Sequence, residues 1–263
     1  MRLPTVSIVI LNHNYERYVG EAVASALAQE PDEYELAEVV IVDDGSTDAS
    51  PALYEEFRNV RIVNQRHQGF AATLTRAVRE ASGDWFAPLD ADDSFVPSKL
   101  RTVAPHLRDP DLLFIQHAEH VIDADGRAFA EGSHPGGSTS TLLVRTSAAR
   151  DLLPVTNELL FHVLADLGHG VRLPDLLTRY RVHAESMTDR RTPGVFSKYL
   201  AGVYEDVATR LTDLAAQPPR WATPDQLLGL SRSYRLQADQ KRRLAATQRR
   251  TARTDHTRTE ASA

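Results

Sequence analysis

Val39-Val40-Ile41-Val42 is apolar at every position, so the strand it predicts has no face to give to water. Val6-Ser7-Ile8-Val9-Ile10-Leu11 is nearly as continuous, and Trp85-Phe86-Ala87-Pro88-Leu89 repeats the pattern. Strands buried on both faces belong to sheets covered by helices on each side. The intervening sequence supplies those helices. Tyr18 to Gln29 places Val19, Ala22, Val23, Ala26 and Leu27 at helical spacing, and a second helix runs through Phe57 with Ser46, Thr47 or Asp48 as its cap. Arg61-Ile62-Val63 predicts a short third strand, and Gly69 opens a helix through about Glu80. Strand followed by helix, repeated in this way, predicts an α/β fold with a doubly wound, mostly parallel sheet.

After Pro97 the alternation lapses. A helix through about Arg108, a strand at Leu112–Ile115, a hairpin turning at Asp123–Gly126, a Gly/Ser-rich loop at 132–140 and a strand at 141–144 are expected. Glu158 to Leu167 suits a helix, and Val171 to Tyr180 a partly extended return. Two further helices, Gly194–Ala216 and Thr223 to about Arg250, are separated by Pro218-Pro219. The expected organisation is an α/β domain over 1–190, split into halves 1–97 and 98–190, then a helical extension over 191–255 and a disordered tail over 256–263. A formal charge of −6 gives no electrostatic case for nucleic acid. Without cysteine there is no disulfide, thiolate nucleophile or cysteine-bound zinc, which suits the cytoplasm. No apolar run approaches the length of a membrane span, so a soluble protein is expected.

The chemistry lies where the buried strands stop. Asn12–Tyr15, Asp43–Asp48 and Asp90–Ser94 all follow strands at one edge, the edge where open α/β sheets bind ligands. Asp90-Ala91-Asp92-Asp93 crowds three carboxylates into four residues. Such acids repel one another, and a divalent cation of the magnesium or manganese kind relieves the repulsion while keeping positions open for phosphate. A glycine-rich dinucleotide fingerprint and a GxxxxGK[ST] loop are both missing. An EF-hand starting at Asp90 fails, because Phe95 stands where glycine is needed and Arg101 where the closing glutamate would be.

Several segments together resemble glycosyltransferase family 2, the inverting GT-A nucleotide-sugar transferases. They are Ser7–Asn14, Val40–Asp48, Gln68–Ala72, Ala81–Trp85 and Leu89–Asp93, with Leu173–His183 similar to the family's closing segment. The resemblance implies a Rossmann-like GT-A fold and transfer of a sugar from a nucleotide diphosphate, most simply UDP, to an acceptor hydroxyl. That acceptor would belong to a polysaccharide, a lipid-linked glycan or a small metabolite. Position by position it implies that Asp44 reads the nucleobase and that the backbone around Leu11, Asn12 and Asn14 walls it. Asp92 would lie near ribose and metal, and Asp93 would ligate the metal, with Asp90 orienting the loop. Tyr180, Arg181 and His183 would stand close to the diphosphate. The family's catalytic base matches Asn157 here, which cannot accept a proton; the adjacent Glu158 becomes the candidate.

Plainer readings compete at each position. Asp43-Asp44-Gly45-Ser46 alone is a turn and cap. Asp92 and Asp93 alone are a solvated acidic loop, His183 a satisfied polar residue, and Glu158 a favourable charge at a helix start. No role is read for His13, His67, His117, His120 or His134, and Trp85 and Phe86 read as core. Lys241-Arg242-Arg243 with Arg249 and Arg250 reads as a solvated face or a contact with an anionic membrane, and Leu227, Leu230 and Tyr234 as a face that pairs two subunits. Two other functional classes fit less well. A sugar-1-phosphate nucleotidyltransferase would need a glycine-rich basic loop after the first strand. A non-catalytic nucleotide-sugar binder is motivated by Asn157.

Overall fold

The computed structural model describes residues 2–134, 137–184 and 194–260. The chain divides into two compact units, 1–183 and 184–263. The expected boundary at 190 lies outside the described residues.

In the first unit, β1 (Thr5–Asn12), α1 (Val19–Leu27), β2 (Glu35–Asp43), α2 (Ser50–Leu53), β3 (Val60–Asn64), α3 (Phe70–Glu80) and β4 (Trp85–Asp90) realise the predicted alternation. β1 pairs in parallel with β2 on one side and β4 on the other, and β3 joins β2 in parallel. The order β3-β2-β1-β4 therefore reverses between β1 and β4, and a crevice opens beyond the carboxyl ends of strands at such a point. Ile8, Ile10, Ile41, Trp85 and Leu89 join Val19 and Val23 of α1 in one buried cluster, and Trp85 Nε1 donates to the Leu107 carbonyl at 3.0 Å.

Beyond β4 the parallel expectation gives way. β5 (Ser94–Phe95), α4 (Lys99–Val103), β6 (Phe114–Ile122), β7 (Ala128–His134), β8 (Leu142–Arg145), α5 (Thr146–Asp151), α6 (Leu159–Asp166) and β9 (Gly170–Arg181) follow. β8 runs antiparallel to both β4 and β6, β7 is antiparallel to β6, and only β9 returns parallel to β6. Parallel neighbours need a crossover helix, and the elements between β4 and β8 are too short or are hairpins. Two expectations are corrected here. The loop expected at 132–140 begins instead as the end of β7, because it pairs with β6, and it ends in a 3₁₀ turn at Thr139–Thr141. The helix expected through Arg108 is α4 followed by a 3₁₀ turn at Ala104–His106, with Pro105 inside that turn.

The second unit is a hairpin of α7 (Val195–Leu214) and α8 (Pro224–Glu260). α8 continues past the expected fraying at Arg250, with no glycine or proline between Arg250 and Glu260. Of the expected tail, residues 261–263 lie outside the described ones. Leu227 and Tyr234, expected on a subunit interface, are buried instead within the chain; the Tyr234 ring lies 5.7 Å from Tyr204 of α7. Ser231 Oγ donates to the Ala208 carbonyl at 2.7 Å on the same seam.

Gly83 shows how closely the layers approach. A Cβ there would stand 2.8 Å from Ser7 N and 2.9 Å from Val6 C, both backbone atoms that cannot swing away. Gly83→Ala should therefore lower unfolding free energy by about 1–3 kcal/mol in urea titration, the usual effect of overpacking. Gly202, in mid-α7 with nothing within 4 Å of its added Cβ, is the control. Gly202→Ala should stabilise by about 0.5–1 kcal/mol, and equal effects at the two sites would refute the packing argument.

Candidate active site

The loops after β1 and β2 are stitched together. Ser46 Oγ accepts from the Asn14 N–H at 2.9 Å, and Asn14 Oδ1 accepts from the Thr47 N–H at 2.7 Å. Asn14 adopts the left-handed conformation, φ 60°, which asparagine tolerates. Asn12 turns inward and donates from Nδ2 to Tyr54 Oη at 2.6 Å, while Leu11 offers its carbonyl to the Ala91 N–H at 3.1 Å. Asp43 accepts from Ser46 N–H and from the Tyr54 hydroxyl. It is structural.

Asp44 is buried and fully engaged. Oδ1 accepts from Gln65 Nε2 (2.8 Å) and Gln68 N–H (2.9 Å); Oδ2 accepts from Gly69 N–H (2.8 Å) and faces His67 Nδ1 at 2.9 Å. Burial pushes this carboxyl upward, but those hydrogen bonds and the His67 ring outweigh it and hold it below the usual carboxylate range. His13 donates from Nδ1 to the Asp44 carbonyl at 2.8 Å, and its ring stacks on His67 with centroids 4.1 Å apart. Ligand atoms of His13, Asp44 and His67 lie within 4.8 Å of one another. Neither histidine was read as functional from sequence; their signal was adjacency to the polar loops alone.

The end of β4 carries the second cluster. Asp92 Oδ2 faces His183 Nε2 at 3.0 Å, and His183 is walled by Tyr15 and Tyr18, with ring centroids at 5.7 and 5.1 Å. Asp93 points inward: Oδ2 accepts from Ser140 Oγ (2.6 Å) and Oδ1 from the Arg181 N–H (2.9 Å). Lys99 is wholly buried behind it, donating to the Ser140 carbonyl at 2.7 Å over the face of Phe95. The Arg181 guanidinium, 2% exposed, also points away from solvent. It donates to the carbonyls of Asp92 (2.8 Å), Asp123 and Ala124 and to Glu21 Oε2 (2.6 Å). Arg181 thus ties β9 to the acidic loop and to α1, and it presents no donor outward in this arrangement.

Electrostatics join these residues to the start of α6. Burial, then the charges of Asp92 and Glu158, push the Asp90 carboxyl well above its ordinary range. Asp93 is pushed up likewise by burial and by Asp92 and Asp90. Glu158 precedes α6, and burial lifts its carboxyl to about 7. Asn157 is buried, with Oδ1 accepting the Leu159 N–H at 3.0 Å. Asn157 caps the helix and Glu158 is the group in electrostatic contact with Asp90. Ser140, Thr139 and Glu119 also belong to this cluster, since Thr139 hydrogen-bonds to Asp90 and Glu119 raises it. Their one sequence signal was a Ser/Thr run just before an apolar strand.

The family model described as Glycosyl transferase family 2 matches residues 7–153. The Bacillus subtilis protein EpsH is 28% identical over 252 residues, covering 81% of this chain and 71% of EpsH. A Nostoc glycosyltransferase, alr2836, is 31% identical over 140 residues, 51% of this chain and 42% of its own length, so the chain spans less than half of that relative. The Escherichia coli UDP-Glc:alpha-D-GlcNAc-diphosphoundecaprenol beta-1,3-glucosyltransferase WfaP is 30% identical over 46% of this chain and 47% of its own length. Among solved structures, Staphylococcus aureus TarS in complex with UDP-GlcNAc superposes with TM-score 0.63 at 19% identity, covering 88% of this chain and 72% of that one. The Pyrobaculum calidifontis mannosyltransferase PcManGT, in complex with GDP-Man and Mn2+, gives TM-score 0.61 at 13% identity over 96% and 76%. Both likenesses establish the GT-A fold.

Asp44 holds the 65–69 loop through acceptors that asparagine cannot fully replace. Asp44→Asn should cost about 1–3 kcal/mol of stability at pH 7, read from the urea midpoint. Because the folded carboxyl titrates below its unfolded value, its contribution is full above about pH 4 and is lost as pH falls further. The gap between wild type and Asp44→Asn should therefore narrow towards pH 3; a constant gap would show that charge plays no part.

Proposed function

Because the chain belongs to glycosyltransferase family 2, we infer that it moves a sugar from a nucleotide-diphosphate donor, of the UDP kind, to an acceptor hydroxyl with inversion at the anomeric carbon. The observation that carries this reading is that Asp92, held by His183, and Glu158, a carboxyl raised to about 7, both bear electrostatically on the buried Asp90. A general base works best when its pKa lies near the working pH. TarS bound to UDP-GlcNAc and WfaP, named for its UDP-Glc donor, support a uridine donor, and the lipid-linked acceptor in WfaP's name supports a glycan or lipid-linked acceptor.

In this reading the nucleobase lies against the loops that Asp44, Asn12 and Asn14 hold, with the Leu11 backbone beneath. Glu158 takes the proton from the acceptor hydroxyl. The freed oxygen bonds to the anomeric carbon on the face opposite the diphosphate, the bond from that carbon to the diphosphate oxygen breaks, and nucleoside diphosphate leaves. Asp92 and His183 would hold a divalent ion. A carboxylate beside an imidazole, backed by repelling acids, suits manganese or magnesium, and the PcManGT complex holds Mn2+. Such an ion supplies Lewis-acid stabilisation to the departing diphosphate. Asp93, expected as a direct ligand, serves better as the buried support that fixes this loop through Ser140 and Arg181. Arg181, expected on the diphosphate, likewise acts through the positions of Asp92 and Glu21.

Glu158→Gln should lower kcat by about a hundredfold or more while the donor KM changes little, measured as nucleoside diphosphate release with acceptor present. For wild type, kcat/KM should climb about tenfold per pH unit below about 7 and level off above it, since only the ionised carboxylate accepts the proton. A flat profile would remove Glu158 as base. Asp92→Asn should instead weaken manganese-dependent stabilisation by UDP in a thermal-shift titration, and an unchanged shift would move the ion elsewhere.

A further inference from the structure

Two histidines stand on Asp44, and the transfer reaction as read above uses neither. His67 Nδ1 faces Asp44 Oδ2 at 2.9 Å, and His13 Nδ1 meets the Asp44 carbonyl oxygen at 2.8 Å. His67 Nδ1 also lies 3.2 Å from that carbonyl oxygen, so both rings reach the same residue. The rings stack with centroids 4.1 Å apart, and one ligand atom from each of His13, Asp44 and His67 falls within a 4.8 Å span. Among the described residues no other group of three His, Asp or Glu side chains gathers its ligand atoms so closely.

The three residues come from three loops, after β1, after β2 and before α3. Other contacts fix those loops. The Asn14 N–H donates to Ser46 Oγ, and Asp44 is oriented by Gln65 Nε2, Gln68 N–H and Gly69 N–H. Hydrogen bonds of that kind orient the carboxylate of a metal site. They leave the side of Oδ2 that faces His67. Burial pushes the Asp44 carboxyl up, but its hydrogen bonds hold it below the usual carboxylate range, so it is an anion at neutral pH. The His67 side chain is 59% exposed, which gives an ion a way in from solvent.

We propose that His13, Asp44 and His67 bind a divalent transition-metal ion of the zinc class, through one ring nitrogen of each histidine and Asp44 Oδ2, with water completing the set. Zinc takes imidazole nitrogen and carboxylate oxygen at about 2.0–2.2 Å, which sets tetrahedral ligand atoms about 3.3 Å apart. The 2.9 Å from His67 Nδ1 to Asp44 Oδ2 opens by a few tenths of an ångström to meet that spacing. The ion takes the place between these two atoms that a proton otherwise holds, and His67 then carries its proton on Nε2. Two imidazoles with one carboxylate favour zinc, copper or nickel over magnesium and calcium, which prefer oxygen. The site is separate from the ion read at Asp92 and His183, and it does not rest on the transferase reading.

The test is titration of the untagged full chain with cobalt(II), whose tetrahedral complexes absorb in the visible. One equivalent should develop the colour, and zinc should bleach it. His67→Gln and His13→Gln should each weaken cobalt binding about a hundredfold or more, since losing an outer-shell partner alone costs about 10–100-fold. Asp92→Asn should leave the titration unchanged. Melting curves without metal check that the variants fold. A zinc-edge anomalous difference map from crystals grown with zinc needs no variant and should place its peak between His13, Asp44 and His67. A colourless titration, unaltered binding in either histidine variant, loss of the colour in Asp92→Asn, or no anomalous peak at these residues would each overturn the proposal and leave a hydrogen-bonded cluster alone.

Discussion

The Asp93 carboxyl is buried and pushed up by burial and by Asp92 and Asp90, and the carboxyl edge of the sheet is arranged around it. A buried carboxylate needs hydrogen bonds or opposite charge, or it takes up a proton. Asp93 receives a hydroxyl from Ser140 and a backbone N–H from Arg181, with the buried Lys99 amine, itself pushed down by burial, behind the same serine. These contacts join segments far apart in sequence: the β4 end, the turn before β8, α4 and the end of β9. One acid thus fixes the register of four elements at the point where the sheet order reverses. Its neighbour Asp92 turns instead to His183, with the imidazole at 3.0 Å.

Asp44 does the same work one strand away by different means. Its four acceptor positions are filled by Gln65, Gln68, Gly69 and His67, so it organises the loop that leads into α3. Gly45 beside it has φ 71°, and a Cβ there would stand 2.7 Å from His67 N, which leaves glycine as the residue that lets this loop close. Both strand ends follow one rule. The inward acid satisfies backbone donors and sets the loop, and a nearby polar group is left at the crevice.

The first half of this arrangement was legible in the sequence because each apolar run stops at a polar one. Continuous burial at Val39–Val42 identifies a strand covered on both faces, and Asp43–Asp48 and Asp90–Ser94 then mark one edge. The parallel β1–β4 order follows from that alternation. What the sequence hid was the partners. Asp92 and Asp93 are adjacent in a string, yet Asp92 meets His183 while the pairing of β9 with β6 brings the Arg181 N–H to Asp93. Lys99 reads as an ordinary solvated lysine, since nothing local says that Phe95 and Ser140 will enclose it. Ser140 looked like part of a flexible loop because its role depends on a strand pairing between residues some fifty positions apart. Long-range contacts leave no periodic trace.

Glu158 shows why such a site is assembled from both halves of the unit. A single carboxylate at the start of a helix is ordinarily ionised and helped by the helix dipole. Here burial overrides that help and raises the group to about 7, while its charge in turn helps to raise Asp90. The two acids therefore oppose each other's ionisation. Positive charge brought between them would favour the ionised forms on both sides at once. In the proposed reading, a donor carrying a divalent ion on its diphosphate would supply that charge and ready Glu158 as the base. On that reading the electrostatic disadvantage of packing acids together would become a coupling between donor binding and proton removal from the acceptor.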